Sequence, residues 1–312
     1  MGVGPASGEA SGEASGEASG EARWGLVDGP RPRLVASDLD GTLLRTDGSL
    51  SSRTVAAWTA AAEAGIETVL VTARPPRWLH DLEPVVGPRG TAICGNGAFV
   101  YEVATRRLVE THCFEGSVVD ELVADLRRAV PSVTFAAERA TGPFVADDYP
   151  DPHRDRGAAS SVRGSWRQVA SEPVGKLLAL APELPVDEFL ATVEDVLGDR
   201  GHLHFSGAHG LAEINAPGVT KAAGLERWAA RLGLEASQVW AFGDMPNDLP
   251  MLSWAGVGWA VANGHEQVRR AADRECPAND EDGVAQVLEA VLGRAEQKVL
   301  DRTIDASWRA GI

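Results

Sequence analysis

Two carboxylates stand two residues apart where an apolar run stops, in Leu34-Val35-Ala36-Ser37-Asp38-Leu39-Asp40-Gly41-Thr42-Leu43-Leu44. Such a run reads as a buried strand whose carboxyl end opens into a turn. Asp38 is ionised at neutral pH and needs no base to act as a nucleophile. Its charge would be repelled by a phosphate dianion, and a divalent cation would offset that repulsion. Asp40 could protonate a leaving oxygen and later activate water. Gly41 permits a turn that a residue with a Cβ resists. A bare D-x-D triplet is also met as a plain acidic turn or in metal-dependent glycosyltransferases; the longer string is more specific.

Other polar groups close apolar runs in the same way. Glu67-Thr68-Val69-Leu70-Val71-Thr72 ends in a hydroxyl, followed by Ala73, Arg74 and two prolines. A threonine hydroxyl and adjacent backbone N–H groups can hold phosphoryl oxygens, although Thr72 could simply end a β-branched strand. Val239-Trp240-Ala241-Phe242 runs into Gly243-Asp244-Met245-Pro246-Asn247-Asp248, where Asp244 could offer a second carboxylate to a hard cation. Lys221 falls in the first turn of a helix that Thr220 can cap. The helix dipole disfavours a cation there, so a neighbouring anion is expected. In open parallel sheets, ligands sit at the carboxyl ends of strands.

Asp38-Leu39-Asp40-Gly41-Thr42, Thr72-Ala73-Arg74-Pro75, Val219-Thr220-Lys221 and Gly243-Asp244-Met245-Pro246-Asn247-Asp248 together resemble the four motifs of the haloacid dehalogenase-like hydrolase superfamily. Gly243-Asp244-Met245-Pro246-Asn247-Asp248 looks like the fourth motif of its Cof-like branch, which carries an inserted α/β cap (type IIB). Gly95-Asn96-Gly97-Ala98 and the turns at Ala260 to His265 and Asn279 to Val284 resemble the same branch. Ala73 departs from the usual Thr-Gly-Arg-Pro and bears on how closely the backbone approaches a ligand. The resemblance implies a Mg²⁺-dependent phosphatase. Asp38 would form an aspartyl-phosphate, and Asp40 would serve as acid and then base. Asp38, the Asp40 carbonyl and Asp244 would hold the metal. Thr72, Ala73 and Lys221 would bind phosphate, and Asn247 and Asp248 would orient the metal's waters or Lys221. Arg74 and Asn96 are further candidates for lining the site, Asn96 also as a hinge. A phosphotransferase or phosphomutase would use the same residues. A non-catalytic binding protein with a relict site is a third reading.

The implied fold is α/β: a doubly wound, parallel, Rossmann-like core over 33–113 and 210–293, with an α+β cap inserted at 114–209. Periodicity places helices from Ser51/Ser52 to Ala64, over Val118–Val130 and Val186–Leu197, and from Thr220 to Leu232. Val55, Trp58, Ala62 and Gly65 form the expected buried stripe of the first, and Ala222, Leu225, Ala229 and Leu232 that of the last. Strands are expected at Thr91–Cys94, Ser132–Ala137, Val174–Ala181, His202–Ser206 and Leu211–Asn215, with an irregular stretch between Ala137 and Val174. His202 and His204 share a strand face, but no third ligand lies at a metal-binding spacing. Lys176 reads equally as a substrate contact or a solvated lysine, and Asp147 to His153 as surface.

The apolar fraction of 44% and charged fraction of 24% suit a globular chain, and the net charge of −16 argues against a nucleic-acid or anionic-membrane partner. A small phosphorylated metabolite is the expected partner. Cys94, Cys113 and Cys276 are an odd number without a C-x-x-C pair, which fits unpaired thiols in a reducing, cytoplasmic compartment. Ser7-Gly8-Glu9-Ala10 repeats in tandem through Ala22, and residues 1–32 read as a disordered acidic tail; 294–312 form an extension without an assigned role.

Overall fold

Strands with unbroken apolar sequences need cover on both faces, and the larger sheet receives it. In this computed structural model, residues 30–86, 90–115, 117–150, 161–166, 172–205 and 209–293 are described; most of the repeat tail and the 294–312 extension lie outside them. The strands are β1 (Leu34–Ser37), β2 (Glu67–Val71), β3 (Thr91–Cys94), β4 (Phe99–Glu102), β5 (Arg107–Thr111), β6 (Thr134–Arg139), β7 (Gly142–Ala146), β8 (Val162–Gly164), β9 (Val174–Leu180), β10 (His202–His204), β11 (Leu211–Asn215), β12 (Val239–Gly243), β13 (Val257–Val261) and β14 (Arg274–Cys276). The helices are α1 (Ser52–Glu63), α2 (Glu83–Val86), α3 (Val118–Ala129), α4 (Val186–Leu197), α5 (Lys221–Arg231), α6 (Leu249–Trp254) and α7 (Glu266–Ala271), with a further helix over 283–293.

The larger sheet has the order β14-β13-β12-β1-β2-β3-β4-β5. Its first six strands run parallel, and the β4–β5 hairpin extends it antiparallel. Val35 and Leu70 pack with α1 and the 283–293 helix on one face. Leu34, Ala36, Val69 and Val71 pack with α5, α6 and α7 on the other. The chain therefore winds both ways from β1, and the order reverses between β1 and β12, where such folds open a crevice at the strand ends.

The smaller sheet, β10-β11-β9-β6-β7-β8, is antiparallel except for the β7–β8 pair. α3 and α4 bury Val119, Leu122, Leu126, Phe189, Val193 and Leu197 within the cap's core. Cross-strand register puts Glu138, Lys176 and Asn215 in one row. All three reach toward the larger half: Glu138 pairs with Arg77, Lys176 bonds Ala73, and Asn215 bonds Gly95. Within the larger half, the turn between β3 and β4 abuts the start of α5. A Cβ at Gly97 would lie 2.3 Å from the Thr220 carbonyl oxygen, so only glycine fits there.

Several expectations are corrected. Leu211–Asn215, assigned above to the core, is an inner strand of the smaller sheet, hydrogen-bonded to β9 and β10. The supposedly irregular stretch after Ala137 holds β7 and β8, and the β4–β5 hairpin was not anticipated. The buried stripe of α1 is Thr54, Ala57, Trp58 and Ala61, while Ala62 and Gly65 face solvent. An alanine-rich helix gives little hydrophobic contrast between its faces. Gly65, at φ +82°, still ends that helix. On α5 the buried set is Lys221, Gly224, Leu225, Trp228 and Ala229, with Leu232 exposed. The prolines at 75–76 and 246 start 3-10 turns, Pro76–Leu82 and Pro246–Asp248, before the α-helical segments. Ser206 and residues 151–153 lie outside the described residues. Cys94 and Cys276 are buried and all three cysteines are unpaired. No helix among the described residues is long and apolar enough to cross a membrane.

Candidate active site

Asp38 is delivered by β1 and Asp244 by β12, neighbours in register where Ser37 opposes Phe242. The Asp38 backbone N–H continues the ladder to the Phe242 carbonyl at 3.0 Å. After Asp38 the chain makes a wide turn: Leu43 N–H donates to the Asp38 carbonyl and Leu44 N–H to that of Leu39. Gly41 takes φ +82° within it, and a Cβ there would sit 2.4 Å from Asp244 Oδ2. The glycine is thus required both by backbone conformation and by the second carboxylate. The Asn263 side chain donates to the Gly41 carbonyl at 2.7 Å and fastens the turn to the loop after β13.

Lys221 opens α5 and is 2% exposed. Its Nζ donates to Asp38 Oδ1 at 2.6 Å and to Asp248 Oδ1 at 2.7 Å. The anion expected beside a lysine in the first turn is therefore a pair of buried carboxylates. Burial disfavours its charge, but Asp248 and Asp38 outweigh burial and hold the ammonium well above its ordinary pKa. Asp248 Oδ2 accepts from the backbone N–H groups of Asp244 and Met245, each at 3.1 Å. Both Asp248 oxygens are therefore engaged, and its place is to hold Lys221 and the turn before α6.

Asp244 Oδ1 accepts from the Thr42 hydroxyl at 2.9 Å. Burial, then the Asp248 charge, raise Asp244 to about 6 against the Thr42 hydrogen bond and Lys221. Burial likewise pushes Asp38 well above the carboxylate range, Asp248 and Asp244 adding to it, while Lys221 opposes. One carboxylate oxygen each from Asp38, Asp244 and Asp248 lie within 4.8 Å of one another, an oxygen cluster able to hold a metal ion. Two buried carboxyls pushed upward, Asp38 and Asp244, beside a buried lysine mark a candidate functional site.

Thr72 follows β2 and is 1% exposed. Its hydroxyl oxygen accepts from the Arg74 N–H at 3.1 Å. Asn96, left-handed at φ +59°, donates its backbone N–H to the Thr72 carbonyl, and Gly95 N–H donates to that of Arg74. The Asn96 side chain donates to Glu213 Oε2 at 2.8 Å, so this residue faces the smaller sheet at the junction between the halves.

Asp40 is the exception to the cluster. Its side chain is 58% exposed and turned to Arg74, whose Nε donates at 2.8 Å. Asn247 Oδ1 is buried with no hydrogen-bond partner among the described residues. Sequence reasoning assigned no role to Thr42 or Asn263, although both stand inside quoted motifs. It also took the smaller sheet's Lys176 for a substrate contact or a solvated residue; the lysine is 4% exposed and bonds Ala73 and Glu213. His204, also buried there, sets its Nε2 3.3 Å from the Val219 carbonyl, a contact in which Nε2 must carry the proton. Neither it nor the exposed His202 joins the carboxylate cluster.

A crevice at the switch point of a doubly wound sheet, floored by buried acids around one lysine and roofed by an inserted α+β cap, defines a class of hydrolase. The chain belongs to the haloacid dehalogenase-like hydrolases: a sequence model of that family matches residues 35–288. It is a Cof-like member and a phosphoric monoester hydrolase. Over 267 residues it is 29% identical to the 5-amino-6-(5-phospho-D-ribitylamino)uracil phosphatase YitU of Bacillus subtilis, covering 83% of this chain and 97% of that one. It is 28% identical over 276 residues to the pyridoxal phosphate phosphatase YbhA of Escherichia coli, covering 82% and 97%. Among solved structures, the subclass IIB sugar phosphatase BT4131 superposes with a TM-score of 0.68 at 21% identity, covering 82% of this chain and 98% of that one, a likeness of fold.

Proposed function

We propose that this chain hydrolyses small phosphate monoesters with Mg²⁺, through a phosphoryl group carried transiently on Asp38. The observation that carries the reading is Lys221, buried and bonded to both Asp38 and Asp248, beside an Asp244 fixed by Thr42. The relatives named for 5-amino-6-(5-phospho-D-ribitylamino)uracil and for pyridoxal phosphate support small phosphorylated molecules as the substrate class.

The donor set suits a hard cation. Asp38 and Asp244 bring carboxylate oxygens within 4.8 Å of each other, the Asp40 carbonyl would be the third protein ligand, and Mg²⁺ takes one or two carboxylates while keeping waters. The contact geometry of Gly41 also fits: any Cβ would press into the Asp244 carboxylate that such an ion needs. When bound, the ion would neutralise the charge shared by nucleophile and phosphoryl group.

The chain's own groups supply the rest. Asp38 attacks phosphorus and the bond to the ester oxygen breaks. Asp40 gives its proton to the departing alcohol. Water then attacks the acyl phosphate as Asp40 takes the water's proton, and phosphate leaves with Asp38 restored. Lys221 and the Thr72 hydroxyl hold phosphoryl oxygens, with the Ala73 N–H beside them. Arg74 keeps Asp40 turned aside until an anionic substrate competes for the guanidinium. The cap excludes water and selects the leaving group.

Phosphate release from a panel of sugar phosphates and phosphorylated cofactors, with Mg²⁺ and with a chelator, tests the reading. Turnover that needs the ion and vanishes in Asp38→Asn supports it. Release that survives Asp38→Asn overturns it.

A further inference from the structure

The lysine that does not reach the carboxylates carries an inference of its own. Lys176 comes from β9 in the smaller sheet, yet its Nζ donates to the Ala73 carbonyl at 2.7 Å, across the junction between the halves. Its second acceptor is Glu213 Oε2 at 3.1 Å, on β11. Glu213 is buried, and so are Asn96 and Asn215 beside it. Asn96 donates to the same Glu213 oxygen at 2.8 Å, and the Asn215 amide spans Gly95 and Gly175 carbonyls at 2.9 and 2.8 Å. Removing four such polar side chains from water is costly unless each is bonded.

The consequence lies in the peptide groups. A trans peptide is planar, with its C=O and N–H pointing opposite ways. Fixing the Thr72 carbonyl on Asn96 N–H therefore turns the Ala73 N–H to the other side. Fixing the Ala73 carbonyl on Lys176 turns the Arg74 N–H the other way, where it meets Thr72 Oγ1 at 3.1 Å. Fixing the Arg74 carbonyl on Gly95 N–H completes the row. The Arg74 N–H anchors Thr72 Oγ1 through one lone pair and so fixes the directions open to its O–H, which can point at a phosphoryl oxygen. A charged donor on the far end of that peptide strengthens the N–H as well.

We infer that Lys176 is a positioning residue: acting from the cap, it orients the 73–74 peptide so that the Thr72 hydroxyl is committed as a donor to phosphoryl oxygen. It touches neither phosphorus nor leaving group, and it rests on the phosphatase reading above. The position of alanine at 73, where the resembling motif has glycine, gives this contact its use. A tether from the cap holds in place a turn whose middle residue carries a side chain.

The test measures binding of inorganic phosphate, with Mg²⁺ present, to the full chain by calorimetry, and turnover of para-nitrophenyl phosphate alongside. Lys176→Met is expected to weaken phosphate binding and raise KM about tenfold, the scale of one charge-assisted hydrogen bond, with a smaller change in kcat. Lys176→Arg, which keeps a charged donor, is expected to recover most of that loss. In a Thr72→Val background, Lys176→Met is expected to add less than twofold, because the lysine acts through the hydroxyl. Lys176→Met paired with Glu213→Gln removes both buried charges and serves if the single variant unfolds; it is expected to show the same phosphate defect. Equal losses with Thr72 intact and in the Thr72→Val background, or unchanged phosphate affinity in a folded variant, overturn the inference while leaving the phosphatase reading intact. A wild-type chain that neither binds phosphate nor turns over any ester overturns the phosphatase reading, and the role of Lys176 falls with it.

Discussion

The Lys221 Nζ donates to Asp38 Oδ1 across 2.6 Å in a setting where both side chains are buried. Removing one partner from such a pair strands the other. Lys221→Met leaves Asp38 and Asp248 facing each other without a countercharge, and its expected cost at neutral pH is about 3–5 kcal/mol. Because burial already raises the Asp38 carboxyl, it can take up a proton once Lys221 is gone, and the deficit should shrink as pH falls toward about 5. Urea denaturation at the two pH values checks both the size and the direction.

Asp244→Asn should trade function for stability. Its folded pKa of about 6 lies above the ordinary 3.8. The unfolded chain therefore ionises first, and stability without metal is lost as pH rises from about 4 to 6. Above that window the deficit is roughly 3 kcal/mol, the free energy that separates the two values. The variant should melt higher than wild type at neutral pH in chelator. Added Mg²⁺ should then stabilise the wild type but not the variant.

Asp40→Asn separates leaving groups. A protonated carboxyl matters most when the departing oxygen is a poor leaving group. Loss on alkyl phosphates is expected on the order of 100-fold or more, within the usual range for general acid catalysis. An aryl phosphate, whose phenolate leaves readily, should lose less in the first step. Equal losses across a series of leaving-group pKa values would show that Asp40 is not the acid.

The buried His204 sets an acid limit on the cap. Burial lowers its pKa to about 4, against the pull of Glu213 and the Val219 carbonyl. The unfolded chain takes up a proton below its ordinary 6.5, while the folded chain does so only near 4. Stability should therefore fall across that window, by up to about 3 kcal/mol. His204→Gln should flatten the slope, read by thermal melts from neutral pH down to about 4.

What was legible in the sequence is what local chemistry announces. Asp38, Thr72 and Asp244 each end an apolar strand, and Lys221 sits where a helix terminus rejects a cation; these features need no partner to be noticed. Lys176 was illegible because its meaning lies in Ala73, 103 residues away, and only the seating of the cap brings them together. Leu211–Asn215 was put in the wrong sheet for a related reason. An apolar strand declares that it is buried, not which neighbours bury it. The pairs Asp40–Arg74 and Asp244–Thr42 fall between these cases: each residue was noticed within a motif, but no pattern states which side chain will turn to which.

The abutment of Gly97 on the Thr220 carbonyl makes one seam of the turn after β3 and the first turn of α5. No side-chain padding separates them at that spot. Lys221 adjoins the seam on one side, and Thr72 is tied to it through Asn96 on the other. A bulkier residue at 97 would therefore disturb the lysine and the threonine together, although neither touches it.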